Sequence, residues 1–155
     1  MADEKRFAVI QIPELKWPTS TSVPASRFRL FVAADLSNVS IDAICEFASA
    51  ALSRGMVYLC AWGRDCERLH DIVDEVVAED DIGERRFAGP TSTDVVMTTW
   101  HKDETLEEAL GFFSISAIPT EGFAANSDFR LAICVGNPEW ARTATRVLQS
   151  TKSFG

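Results

Sequence analysis

Cys66, His70, His101 and Asp103 are the side chains of this 155-residue chain whose types and spacing best suit chemistry. Cys66 and His70 stand four residues apart, so both project from one side of a helix. With His101 and Asp103 they make a mixed thiolate, imidazole and carboxylate set of the kind that holds zinc. No C-x-x-C or H-E-x-x-H pattern accompanies them, so no cofactor is expected, and zinc is the one metal the set would suit. Cys66 also fits the part of a nucleophile: a helix N-terminus lowers a thiol's pKa, and His70 or His101 would serve as its base. Asp65, Glu67 and Asp71 oppose thiolate formation there. The competing structural reading packs Cys66 in the core and pairs His70 with Asp71 or Asp74.

A ligand pocket would draw on Asp35, Trp62, Arg64, Trp100, Glu104 and Asn137, which close or follow apolar runs. Asp35 has the position of a phospho-accepting aspartate, but Ser37 stands where a second acid of a D-x-D pair belongs, so phosphoryl transfer is unsupported. No G-x-G-x-x-G or G-K-[ST] follows any run, which removes the phosphate cradle. Trp62, Trp100 and Trp140 either pack in the core or wall the pocket with their indole N–H groups aimed inward.

The elements that would position these groups repeat four times. Strands are expected at 28–34, 56–62, 94–100 and 129–135, each a short apolar run followed by an amphipathic helix. Ser40 and Asp65 are expected caps for the first two helices. Thr105 and Glu108 have capping-box spacing, and Asn137-Pro138 joins a cap to an N1 proline. The pattern predicts a three-layer α/β sandwich, Rossmann-like or flavodoxin-like, around a four-stranded parallel sheet. Strand order 2-1-3-4 is favoured over 3-2-1-4; it would set Asp35 between the two histidines, at the carboxyl edge where such sheets bind ligands. Residues 1–27 read as an irregular N-terminal arm, broken by Pro13, Pro18 and Pro24 and anchored by Trp17, with a short strand open to Phe7–Ile12. Residues 28–155 read as a single domain.

The net charge is −8, from 23 acidic and 15 basic side chains. Such a surface repels phosphate backbones, so nucleic acid is not an expected partner. Nine of the acids lie between Asp65 and Glu84, where Arg68 is the only basic residue; they form either a solvated helix face or a docking surface for a basic protein. No apolar run approaches the ~20 residues of a membrane span, and no export signal follows Met1. Cys45, Cys60, Cys66 and Cys134 fall inside apolar segments and are expected to be reduced thiols of a cytoplasmic protein.

Trp62-Gly-Arg-Asp-Cys-Glu-Arg-Leu-His-Asp71 and Thr98-Thr-Trp-His-Lys-Asp-Glu104, with Leu106 to Leu110 after it, resemble a family of short bacterial proteins that is a domain of unknown function. The resemblance covers Phe28 to Leu148 and implies a bacterial or phage setting, with no activity or catalytic residue to carry over. Two readings of function result. The first is a non-enzymatic binding or accessory protein, immunity-type among the options, using its acidic face on another protein. The second is a small Cys/His- or zinc-dependent hydrolase or transferase with its pocket at the carboxyl edge. Whether the chain is an enzyme stays open on the residues alone, as does its oligomeric state.

Overall fold

Apolar runs become strands here in proportion to how many neighbours cover them. In the computed structural model, which describes residues 6–20 and 22–152 with side chains to Ser150, the strands are β1 (Phe7–Ile12), β2 (Phe28–Ala33), β3 (Met56–Trp62), β4 (Met97–His101) and β5 (Arg130–Val135). All pair in parallel, in the order β1-β5-β2-β3-β4. β2 is buried at every position, and β3 and β5 nearly so, whereas the edge strands β1 and β4 are largely half-buried or exposed. Helices on both faces require such continuous apolar runs in the central strands.

The helices are α1 (Ile41–Ser53), α2 (Glu67–Ile82), α3 (Leu106–Ile115), α4 (Glu121–Ala124) and α5 (Pro138–Lys152). Three start at chemically explicit caps. Ser40 Oγ accepts from the Ala43 amide at 3.1 Å. Thr105 and Glu108 close a reciprocal capping box, with bonds of 2.9 and 3.1 Å. Asn137 Oδ1 accepts from the Glu139 amide at 2.9 Å, ahead of Pro138 in the first turn.

Strand alternation divides the core in two. Leu30, Val32, Leu59 and Ile133 meet Ile44, Phe47, Leu69 and Val73 of α1 and α2. Phe31, Tyr58, Cys60 and Ala132 meet Leu110, Phe113, Ala144 and Leu148 of α3 and α5. Burying a Leu, Ile, Phe or Val contributes about 1.5–3 kcal/mol each, so these two layers dominate stability.

Several expectations are corrected. The sheet has five strands, not four, because Phe7–Ile12 pairs along β5 from Phe7↔Arg130 to Ile12↔Val135. The segment before β2 is therefore not wholly an irregular arm. Trp17 is 5% exposed and packs on Phe47 and Phe28 at 5.6 and 6.1 Å between ring centroids. The favoured strand order fails. Among the four strands foreseen, β4-β3-β2-β5 is the other order considered, and it places the topological switch point between β2 and β5. β4 begins at Met97, since Val95 is tied instead to the Thr120 hydroxyl at 3.4 Å. Asp65 does not cap α2: it takes a left-handed φ of 58°, and Cys66 holds the cap position.

Candidate functional site

Strand period dictates what the two histidines can do together. Trp100 and His101 are neighbours in β4, so their side chains leave opposite faces of the sheet. On the α2 face, the Trp100 ring lies 4.4 Å from that of His70. His70 Nδ1 is 2.9 Å from Asp71 Oδ1 and its Nε2 is 3.4 Å from Asp74 Oδ2. The other Asp74 oxygen accepts from the Thr98 hydroxyl at 2.8 Å, stitching α2 to the edge strand.

On the α3 face, His101 is 4% exposed and lies 4.9 Å from the Phe112 ring. Its Nδ1 is 2.8 Å from Glu104 Oε2 and its Nε2 is 3.0 Å from Thr99 Oγ1. In the tautomer that gives Nδ1–H to the carboxylate, Nε2 accepts from the Thr99 hydroxyl. Thr99 also contacts Cys60 Sγ at 3.5 Å, a longer and weaker alternative for the same proton. Glu104, His101 and Thr99 thus stand in the acid–base–hydroxyl order of a hydrolytic relay, with the imidazole buried and the carboxylate at the surface.

Cys66 is 1% exposed. Burial pushes its thiol pKa up, while the His101 backbone N–H pulls the other way. This is the environment of a packed thiol rather than of an activated nucleophile. Asp103 is exposed and enters no hydrogen bond or ion pair among the described residues. Among those residues no group of three or more His, Cys, Asp or Glu side chains is placed to hold a metal ion. Cys66, His70, His101 and Asp103 therefore do not form a shared centre: the sheet stands between the imidazoles, and Glu104 occupies the place foreseen for Asp103.

The pocket residues are spread along the carboxyl edge. Asp35 sits at the switch point, flanked by Asn137 after β5 and Arg64 after β3. It does not lie between the histidines, since β3 separates it from β4 and the span from β2 to β4 is roughly 10 Å. The Ser37 hydroxyl and amide donate to Asp35 at 2.6 and 2.9 Å and hold its pKa below the ordinary carboxylate value. Trp62 Nε1 donates to the Glu104 carbonyl at 2.8 Å, and its ring meets Trp140 edge-on at 5.2 Å. That indole N–H is spent on structure. Gly63 lets the β3–α2 turn cross the end of β2: it has a φ of 119°, and a Cβ there would lie 2.1 Å from the Ala34 carbonyl oxygen.

Two features escaped the sequence reading. Asp80, counted in the acidic run, is 6% exposed and accepts from the Arg86 and Phe87 amides at 2.8 Å each. Burial alone would raise its pKa; those amides and the Arg86 side chain outweigh burial and lower it. Arg29 is 7% exposed and donates to the Ser127 and Ala117 carbonyls at 2.9 and 3.2 Å. Its register partner Arg130 donates to the Ser114 carbonyl at 3.1 Å, so two guanidiniums meet the chain leaving the C-terminus of α3. An apolar-to-arginine alternation at strand starts is the only local hint of that pair.

Of the remaining acids of α2, Glu67 is half-buried, whereas Asp71, Asp74, Glu75, Glu79, Asp81 and, beyond its end, Glu84 are exposed. Beside them runs the free edge of β4, whose neighbourhood exposes Trp100 at 48%, Val95 at 42% and Met97 at 37%. No helix among the described residues is long and apolar enough to cross a membrane.

Fold and surface together define an α/β protein with a parallel five-stranded sheet, an open β4 edge and an acidic helix beside it. The family described as "Domain of unknown function (DUF7684)" matches residues 11–150, and the chain belongs to that family. No curated protein and no solved structure matches the chain.

Proposed function

We propose that the chain is a non-enzymatic binding protein, an accessory or immunity-type component of a bacterial or phage cytoplasm. It takes a basic segment of another protein on the surface formed by α2 and the edge of β4. The observation that carries this reading is Trp100, half-exposed on an edge strand whose outer side has no partner, with its ring on His70 and the exposed carboxylates of Asp71 and Asp74 around that imidazole. Edge strands are normally blunted by lysine, proline or a covering element. Met97–His101 contains neither lysine nor proline. An extended partner would pair with the β4 backbone, cover Trp100 and lay lysines or arginines against Asp71, Asp74 and Glu75. The acids speed encounter and the strand pairing sets register.

A ten-residue peptide of alternating lysine and valine is a direct probe. Its association rate should fall as salt rises, because exposed charges are screened beyond about 8 Å at physiological ionic strength. Glu75→Lys with Glu79→Lys should slow association more than it speeds dissociation. Association that is indifferent to salt and to both substitutions contradicts the reading.

The relay Glu104–His101–Thr99 favours a second reading, a small hydrolase or transferase. In that role Thr99 would be the nucleophile and His101 its base, with no zinc required. Access to substrate would need α3 to lift from the sheet, so ester hydrolysis lost in Thr99→Val at unchanged stability would be its signature.

A further inference from the structure

We propose that the amino-terminal edge of the sheet, opposite the edge where such folds usually bind ligands, carries a site for a small phosphate-bearing anion among Arg27, Arg54 and Arg86. A cavity of about 220 Å³ opens there between the segment entering β2, the α1–β3 turn and the α2–β4 loop. Its lining includes these three arginines and no aspartate or glutamate, in a chain whose net charge is −8. Surface arginines of an acidic protein ordinarily find carboxylates. Among the described residues Arg27 and Arg54 are in no ion pair, while Arg86 Nε lies 3.5 Å from both Asp80 and Glu84.

Each guanidinium also lies over an aromatic ring. Arg27 lies 5.1 Å from the centroid of Phe123, Arg86 5.0 Å from Phe87 and Arg54 5.9 Å from Trp17. Stacking orients a guanidinium while leaving most of its edge N–H donors for an oxyanion. With the Asn126 carboxamide turned so that its nitrogen donates to the Phe123 carbonyl, its oxygen accepts one Arg27 N–H at 2.8 Å. Backbone geometry fixes the spacing of the first two. Gly55 has a φ of 109°, and a Cβ there would lie 2.0 Å from the Ser26 carbonyl oxygen. Its own carbonyl accepts from the Phe28 amide at 3.0 Å. Arg27 and Arg54 therefore flank a backbone crossing that only glycine allows.

Forks arriving from three elements suit a tetrahedral dianion better than a planar carboxylate, which one arginine satisfies alone. The volume is below the roughly 300 Å³ at which drug-sized pockets begin. It admits a phosphate and a small apolar remainder against Phe87 and Phe123, not a nucleotide.

The test is amide chemical-shift titration of the full chain with inorganic phosphate and with phenyl phosphate, against sodium chloride of matched ionic strength. The expected result is saturable shifts at residues 26–27, 53–56 and 86–87 with the phosphates and not with chloride, complete by about 10 mM for a millimolar site. Tighter binding of phenyl phosphate marks an ester as the ligand class; equal or tighter binding of inorganic phosphate marks the free anion. Arg27→Gln and Arg54→Gln should each weaken binding about tenfold, the loss of a charge-assisted hydrogen bond. Arg54 is exposed, so Arg54→Gln should keep the wild-type melting temperature and separates lost binding from lost fold. Absence of saturable shifts, or shifts that persist when Arg27→Gln and Arg54→Gln are combined, overturns the site.

Discussion

His101 Nδ1 lies 2.8 Å from Glu104 Oε2 across the β4–α3 turn, in a chain segment where Asp103 projects to solvent beside them. That pair, with Thr99 at the other ring nitrogen, satisfies a buried imidazole completely. Truncation removes both bonds and the buried ring packed on Phe112, while the part-exposed Glu104 carboxylate returns to water and the Thr99 hydroxyl keeps Cys60, so His101→Ala should cost about 1–2 kcal/mol in a urea unfolding curve. A double-mutant cycle with Glu104→Gln should show coupling above about 0.5 kcal/mol. Unchanged stability together with lost ester hydrolysis would make the relay catalytic instead.

Asp94 should give the protein an acid-sensitive joint. Its carboxylate accepts from the Thr120 hydroxyl at 2.6 Å and from the Thr91 and Gly122 amides at 2.9 Å each, tying the α2–β4 loop to the start of α4. The Thr120 bond first, then those amides, depress its pKa to about 2. A carboxyl whose folded pKa is depressed stabilises the fold above its unfolded value near 4, and that contribution disappears as pH falls towards 2. Melting temperatures measured from pH 5 to pH 2 should fall more steeply in the wild type than in Asp94→Asn, which begins lower. Parallel curves would show that the joint carries no pH-linked stability.

Thiol accessibility should separate the four cysteines. Cys60, Cys66 and Cys134 are buried, Cys45 is half-buried and none is in a disulfide. Burial pushes the Cys60 and Cys134 thiols up to about 12, and thiolate is the reactive form. Native protein at pH 8 should react with a thiol reagent at Cys45 alone, and denatured protein under non-reducing conditions at all four. Rapid native labelling of Cys66 would revive it as a nucleophile.

Gly63→Ala should destabilise by more than about 1 kcal/mol, since it demands a left-handed φ of an L side chain and sets a Cβ against the Ala34 carbonyl. Chemical denaturation measures it; a neutral result would mean that the β2 and β3 ends part easily.

What could be read before the fold was known follows the range of the interactions. Ser40, Thr105 with Glu108 and Asn137 with Pro138 are caps closed within four residues, and each appears where its spacing placed it. Asp65 has the right type for a cap but the wrong backbone, since the tight turn that begins at Gly63 puts it at a left-handed φ. Strand order depends on β5 inserting between β1 and β2, pairings such as Phe7↔Arg130 and Arg29↔Arg130 that no local pattern encodes. β1 was half hidden by the prolines that follow it. The separation of the histidines was legible only in part. Thr98 and Trp100 alternate with Thr99 and His101, so period two sends Trp100 and His101 to opposite faces, and the strand order then puts α2 on the Trp100 side. Asp80 shows the opposite limit: a buried acid in an acidic run looks like its neighbours until the loop that it holds is seen.

The docking surface is tested most directly by backbone amide shifts on titrating the alternating lysine–valine peptide into the full chain and into Trp100→Asp. The account predicts that shifts cluster at Met97–His101 and along the outward side of α2, shrink as salt rises, and vanish in Trp100→Asp while that variant keeps its melting temperature. Shifts centred on the β1 edge or on α5, or the same β4 pattern in Trp100→Asp at every salt concentration, would contradict it.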